Sequence, residues 1–190
     1  MSETTTRSEP RGVAFVLIRM TAQGEAAHRA AGGEGLPPAD REMYGALTAA
    51  LETWQGLGTL RPSALLLIEW LATEWAGYRS QLLGQDQDRF DSWLGEFGDE
   101  VSLSQRHAHP AGPTCLELLT VAASAQSSDS PKEHAARLAI PFLGYLRPDS
   151  ELEDAREIAL SFALWAGQDL SALMQHDAER IVGYTEARAR

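Results

Sequence analysis

Cys115 is the only cysteine in 190 residues. No disulfide can therefore close within the chain, and a reducing compartment, the cytoplasm, is the expectation. Lysine is nearly absent too: Lys132 stands alone beside 15 arginines, and no run of bases occurs. With a formal net charge of −11, a phosphate-binding surface is not expected, so nucleic acid is excluded as a partner class. Long apolar runs are missing as well. Val13–Ile18 is only six residues, and the apolar stretch after Ser63 is interrupted by Glu69 and Glu74. Neither a signal segment nor a membrane span is expected from them. Nowhere do β-branched and polar residues alternate over five or more positions, which leaves a sheet without support.

What is present is helical periodicity. In Ser63–Leu83, SALLLIEWLATEWAGYRSQLL, only Glu69, Thr73 and Ser80 line up as a polar stripe, so most of that helix should be covered by other elements. The fold class read from it is all-α: a single compact bundle of about seven helices with Ser63–Leu83 at its centre. Residues 1–11, rich in Thr, Ser and Glu, read as a flexible tail, and 12–190 as one all-helical domain. A chain of this length can bury roughly 70% of its unfolded surface.

Helices are expected over Val13–Ala31, from Asp40 to about Leu57, over the central segment, over Asp86–Phe97 and from Thr114 to about Ala125. Ser130-Pro131-Lys132-Glu133 opens a sixth, which Pro141 should kink or split. Ser150-Glu151-Leu152-Glu153 opens a long helix, expected to pack on the central one, whose apolar register contains Asp169. Asp177–Arg190 continues it. Gly98–Pro113 reads as the longest loop. Leu60-Arg61-Pro62 and Leu146-Arg147-Pro148 share turn chemistry without making a repeat. Leu66, Leu67, Trp70, Leu71, Trp75, Leu119, Phe162 and Trp165 are the expected core.

No constellation carries chemistry outright. The glycine clusters match neither the P-loop nor the dinucleotide fingerprint. Glu25-Ala26-Ala27-His28 is one E-x-x-H where a di-iron bundle needs two, and its residues read as an exposed polar face. Glu96/Asp99 and Glu151/Asp154 have the spacing of magnesium ligands but read as helix-end charges. Asp86 begins like a calcium loop, yet Phe90 stands where a ligand belongs, so Asp86 is an N-cap. His107 and His109, with His134 or Glu117, read as loop histidines lacking a fixed second shell. No metal and no cofactor is implied.

Three residues remain as weak catalytic candidates. Cys115, as the first residue of a helix capped by Thr114, would sit in the positive field that lowers a thiol pKa, and His109 is its nearest potential base. Core burial of the thiol is the competing reading. Glu74, flanked by Trp70 and Trp75, would be desolvated and suited to acid–base work, or else paired with an arginine. The expected function is a non-catalytic, acidic, cytoplasmic interaction protein of immunity, adaptor or assembly-subunit type. Its negative charge would steer it to a basic protein partner, and a homo-oligomer is allowed. The alternative is a helical bundle that binds or converts a small molecule in a tryptophan-lined pocket near Glu74 and His107–Cys115.

Overall fold

Eight helices run through the described residues, which are 9–34, 41–103, 111–124 and 131–189 of this computed structural model. They are α1 (Pro10–Ala30), α2 (Arg41–Gly56), α3 (Leu60–Leu82), α4 (Gln87–Leu103), α5 (Gly112–Ser124), α6 (Pro131–Tyr145), α7 (Glu151–Leu173) and α8 (Ala178–Ala189). Helix makes up 86% of those residues, and none of them is in a strand. None of these helices is long and apolar enough to cross a membrane. The all-α bundle expected from periodicity is the fold, with the C-terminal continuation counted as a helix of its own.

α3 and α7 lie side by side and parallel: Arg61 meets Glu151 near their starts, and Trp75 and Arg79 meet Asp169 near their ends. α3 therefore shares the centre of the bundle with α7, and with α1, whose Ala14, Leu17, Ile18 and Ala22 are fully buried. α1 approaches α7 so closely that a Cβ on Gly167 would lie 1.9 Å from Thr21 Oγ1. Thr21 donates a hydrogen bond across that contact to the carbonyl of Ala163, 2.9 Å away.

An arrangement repeats within the chain at an offset of 91 residues, from Leu60 to Glu151 and from Asp86 to Asp177. α3 and α7 each span 23 residues. At their C-termini the same three backbone bonds close the last turn: Leu83, Gly84 and Gln85 donate to Arg79, Gln81 and Ser80, as Met174, Gln175 and His176 donate to Leu170, Ala172 and Ser171. Asp86 and Asp177 then cap α4 and α8 by accepting the amides of Arg89 and Arg180 at 3.1 Å. The halves interlock. α1 packs on α7 and α8, and α2 on α7; correspondingly α5 packs on α3 and α4, and α6 on α3. The Leu-Arg-Pro phrases fall out of this register, so the repeat is structural and lies elsewhere in the sequence than they suggest.

Several expectations are corrected. Pro10 and Arg11, placed in the tail, begin α1. Leu66 is 47% exposed: with Pro62 and Thr73 it forms the narrow solvent stripe of α3. Glu69, expected on that stripe, is half-buried and faces His134 of α6 at 3.8 Å. Leu67, Leu71, Trp75, Leu119 and Phe162 are buried as expected, whereas Trp70 and Trp165 are only partly covered. Gly98–Leu103, read as loop, continues α4, because Phe97 and Val101 both bury against its neighbours. Glu96 and Asp99 thus lie within a helix and not at its end. α6 runs unbroken through Pro141: proline removes a single N–H, and fully buried Leu138 and Phe142 anchor both sides of it.

Candidate functional site

The densest chemistry lies where α3, α4 and α7 meet, around Trp75. Its indole stacks on Trp165 at 4.8 Å between ring centroids and meets Phe97, Trp93 and Phe162 edge-on at 5.2, 5.6 and 5.8 Å. These separations are those of packed aromatic rings. Around Trp75, then, the rings occupy the space between them, while His107 and His109, which the expected tryptophan-lined pocket would also use, lie outside the described residues. Of the five tryptophans, Trp54 and Trp75 are buried. Trp70, Trp93 and Trp165 pack against the core from its edge. Three open grooves among the described residues, between α1 and α2, between α2 and the start of α7, and between α4 and α5, have no tryptophan in their walls.

Asp169 is the polar centre of this cluster. One carboxylate oxygen accepts the Trp75 indole N–H at 2.9 Å, and Arg79 grips both oxygens at 2.9 and 2.7 Å. The Arg79 guanidinium also lies over the Trp93 ring, 4.7 Å from its centroid. Burial pushes the Asp169 pKa up to about 6, against the opposing pull of Arg79 and the indole donor. These three bonds join α3 to α7. Sequence reasoning placed Asp169 in the apolar register of α7 without giving it a role; an acid at a core position was the available signal.

Glu74 is buried and held by Arg188, 114 residues away on α8. This is the arginine-paired reading of that carboxylate. Tyr78, one turn on, is fully buried, and its phenol faces Glu74 and Tyr184. Burial first, and the Glu74 charge second, push its pKa up. Arg188 caps the group at the surface, its own pKa raised by the hydrogen bond to Glu74.

Cys115 lies in the core, fully buried. Its amide already donates to the carbonyl of Ala111, because α5 begins at Gly112 and not after Thr114. The thiol is thus the fourth residue of the helix, past the free amides that stabilise a thiolate. Burial, reinforced by the Glu157 charge, pushes its pKa up. His109 and His107 lie outside the described residues. His134 is buried, Glu117 is exposed on α5, and no group of three His, Cys, Asp or Glu side chains among the described residues has metal-site geometry.

Of the two carboxylate pairs with ligand-like spacing, Glu151 and Asp154 are engaged. Glu151 pairs with Arg61, and Asp154 takes the backbone amide, Nε and Nη2 of Arg147 together with the Ser150 hydroxyl. Ser150 sits at the N-cap of α7, but its hydroxyl serves Asp154 and not the backbone. Glu25, expected to be exposed, is buried and accepts Arg29 Nε at 2.6 Å, while His28 turns to the carbonyl of Glu34. No family model, no curated protein and no solved structure matches this chain.

Proposed function

We propose that this chain is a non-catalytic, acidic interaction protein of the cytoplasm that binds a basic protein partner. The observation that supports this reading most is the filled interior around Trp75: the aromatic cluster that would have lined a ligand pocket packs on itself. Two further facts agree with it. Cys115 and Glu74, the groups on which a catalytic reading rested, are respectively buried as a thiol and ion-paired. The net charge of −11 supplies a field that accelerates encounter with a basic surface.

The test is capture of a partner by the full chain from an extract of its source cells. A basic protein should be retained at low ionic strength and released towards 1 M salt, where screening shortens to about 3 Å. A purified chain that carries a stoichiometric small molecule in native mass spectrometry, and retains no protein, would overturn the reading in favour of the small-molecule alternative. Rapid alkylation of Cys115 in the folded chain near pH 6.5 would do the same for the enzyme form of that alternative.

A further inference from the structure

The seam between α4 and α5 differs from its counterpart in the other half of the molecule. That counterpart, between α1 and α8, is closed by arginines of α1. Arg19 reaches Glu186 at 3.8 Å, and Arg11 donates to the carbonyl of Arg188 at 2.5 Å. In the α4–α5 seam Gly95 occupies the register of Glu186, and α5 contributes no basic residue. The acids are instead on α4, which carries Asp88, Asp91, Glu96, Asp99 and Glu100 against Arg89 alone.

The result is an open groove of about 560 Å³. Gly95, Leu94, Leu116, Asp91 and Asp99 line it, and Gly98 lies beneath Leu116, whose Cδ2 would stand 3.1 Å from a Cβ there. A Cβ on Gly95 would meet nothing within 4 Å, so the backbone of α4 is open to close approach there. No salt bridge to Asp91, Glu96, Asp99 or Glu100 forms among the described residues; Asp91 takes only the Gln87 side-chain amide, at 2.7 Å. Asp91 and Asp99 are eight residues apart, about 12 Å along the helix.

We infer that this groove docks a basic amphipathic helix of a partner protein, with an apolar ridge on Gly95, Leu94 and Leu116 and cations about two turns apart against Asp91 and Asp99. The inference rests on the interaction-protein reading above. A second copy of this chain would bring a like charge of −11 to an acidic rim, and a phosphate ligand would meet the same repulsion. An amphipathic helix supplies both things the seam lacks, an apolar ridge and the missing cations.

The probe is a fluorescein-labelled 18-residue peptide with leucines on one helical face and arginines beside them, followed by anisotropy at low ionic strength against the full chain. It should bind, and a scrambled peptide of the same composition should bind about tenfold more weakly, since it presents no ridge. Gly95→Leu, whose Cβ would meet nothing within 4 Å, puts bulk on the open backbone and should weaken binding about tenfold, with an unchanged helical spectrum. Asp91→Asn with Asp99→Asn should weaken it several-fold and flatten its salt dependence. Glu179→Gln, exposed on α8, should leave binding unchanged. Equal binding of the scrambled peptide, or undiminished binding to Gly95→Leu, would overturn the inference. The captured natural partner separates the two levels. Capture by both the native chain and Gly95→Leu moves the surface elsewhere and sinks this inference alone, whereas no capture by the native chain sinks the interaction-protein reading itself.

Discussion

The α3–α4 and α7–α8 hairpins share a backbone and differ in what they carry on it. The lengths of α3 and α7, the closing bonds and the capping aspartates coincide at the 91-residue offset. Apolar residues recur at the buried positions: Ala64 with Ala155, Leu67 with Ile158, Leu71 with Phe162, Ala72 with Ala163. Bulk and charge do not recur. Trp75 corresponds to Ala166, Ala76 to Gly167, and Tyr78 to Asp169. The parallel α3–α7 pair is thus asymmetric by content: α3 brings the large ring, and α7 brings the acid that receives its N–H. The comparison teaches that helix lengths and caps define the frame, while the pairing of unlike residues across it defines one interior.

Removing shared bulk should cost most. Phe162→Ala should lose about 3–5 kcal/mol and Leu67→Ala about 2–5 kcal/mol in urea unfolding, through lost burial and residual cavity. A loss below about half a kcal/mol at either position would show that its half does not contribute to a common core.

Next come the unlike residues at one register. Asp169→Ala should cost about 3 kcal/mol, because it leaves the Arg79 guanidinium and the Trp75 N–H without their acceptor. Tyr78→Phe should cost less than about 1 kcal/mol, since Glu74, which the hydroxyl faces, keeps Arg188 as its partner. Similar losses at both would break the asymmetry. The pH dependence sharpens it further. The Asp169 pKa is raised in the fold to about 6 from 3.8, so between those values the native state holds the proton more tightly than the unfolded chain. Its contribution to stability is full below about pH 4 and declines as pH rises through about 6. Asp154, held well below the usual carboxylate range by Arg147, has the opposite sign: its contribution is present above about pH 4 and lost on further acidification. Asp169→Asn should remove the first slope and leave the second, read from unfolding midpoints between pH 3 and 7.

Gly167→Ala should destabilise by about 1–3 kcal/mol despite the better helix propensity of alanine, because the added methyl meets Thr21. At the matching position of α3, Ala76→Gly should lose about 1 kcal/mol from propensity alone. A stabilised Gly167→Ala would mean that α1 stands further from α7 than described.

The smallest effects belong to the turns. Asp86→Ala and Asp177→Ala should each cost about 1 kcal/mol as lost N-caps. Gln175 stands at φ +58° where α3 has Gly84 at φ +77°, so Gln175→Gly should stabilise by roughly 1 kcal/mol. Unequal cap losses would show that the two turns are equivalent in geometry only.

Much of the frame was legible because it is local. Apolar spacing and capping signatures located seven helices, with the eighth read as a continuation of the seventh, and the Asp86 cap follows from an acid ahead of a periodic run. The candidate site was less legible. The pairing of Glu74 with an arginine was readable as a need, but Arg188 lies 114 residues away and nothing local names it. Leu66 and Glu69 exchanged their expected environments because the path of α6 decides which side of α3 is covered. The α5 start differs from the expected one because Thr114-x-x-Glu117 has the form of a capping box, while Gly112, packed against Val101, starts the helix earlier, its first turn closed by the Cys115 amide on the Ala111 carbonyl.

By itself the sequence determined helix, the absence of any intrachain disulfide, an acidic surface and the apolar registers from which a core must form. These depend on neighbours three and four residues away and on composition, which the chain carries wherever it folds. The tertiary structure alone decided that the aromatic rings around Trp75 pack against one another, that Asp169 serves Trp75 and Arg79, and that the α4–α5 seam stays open where the α1–α8 seam is bridged. Those outcomes depend on which helix faces meet, and side chains far apart in sequence settle that by shape and charge once the helices pack.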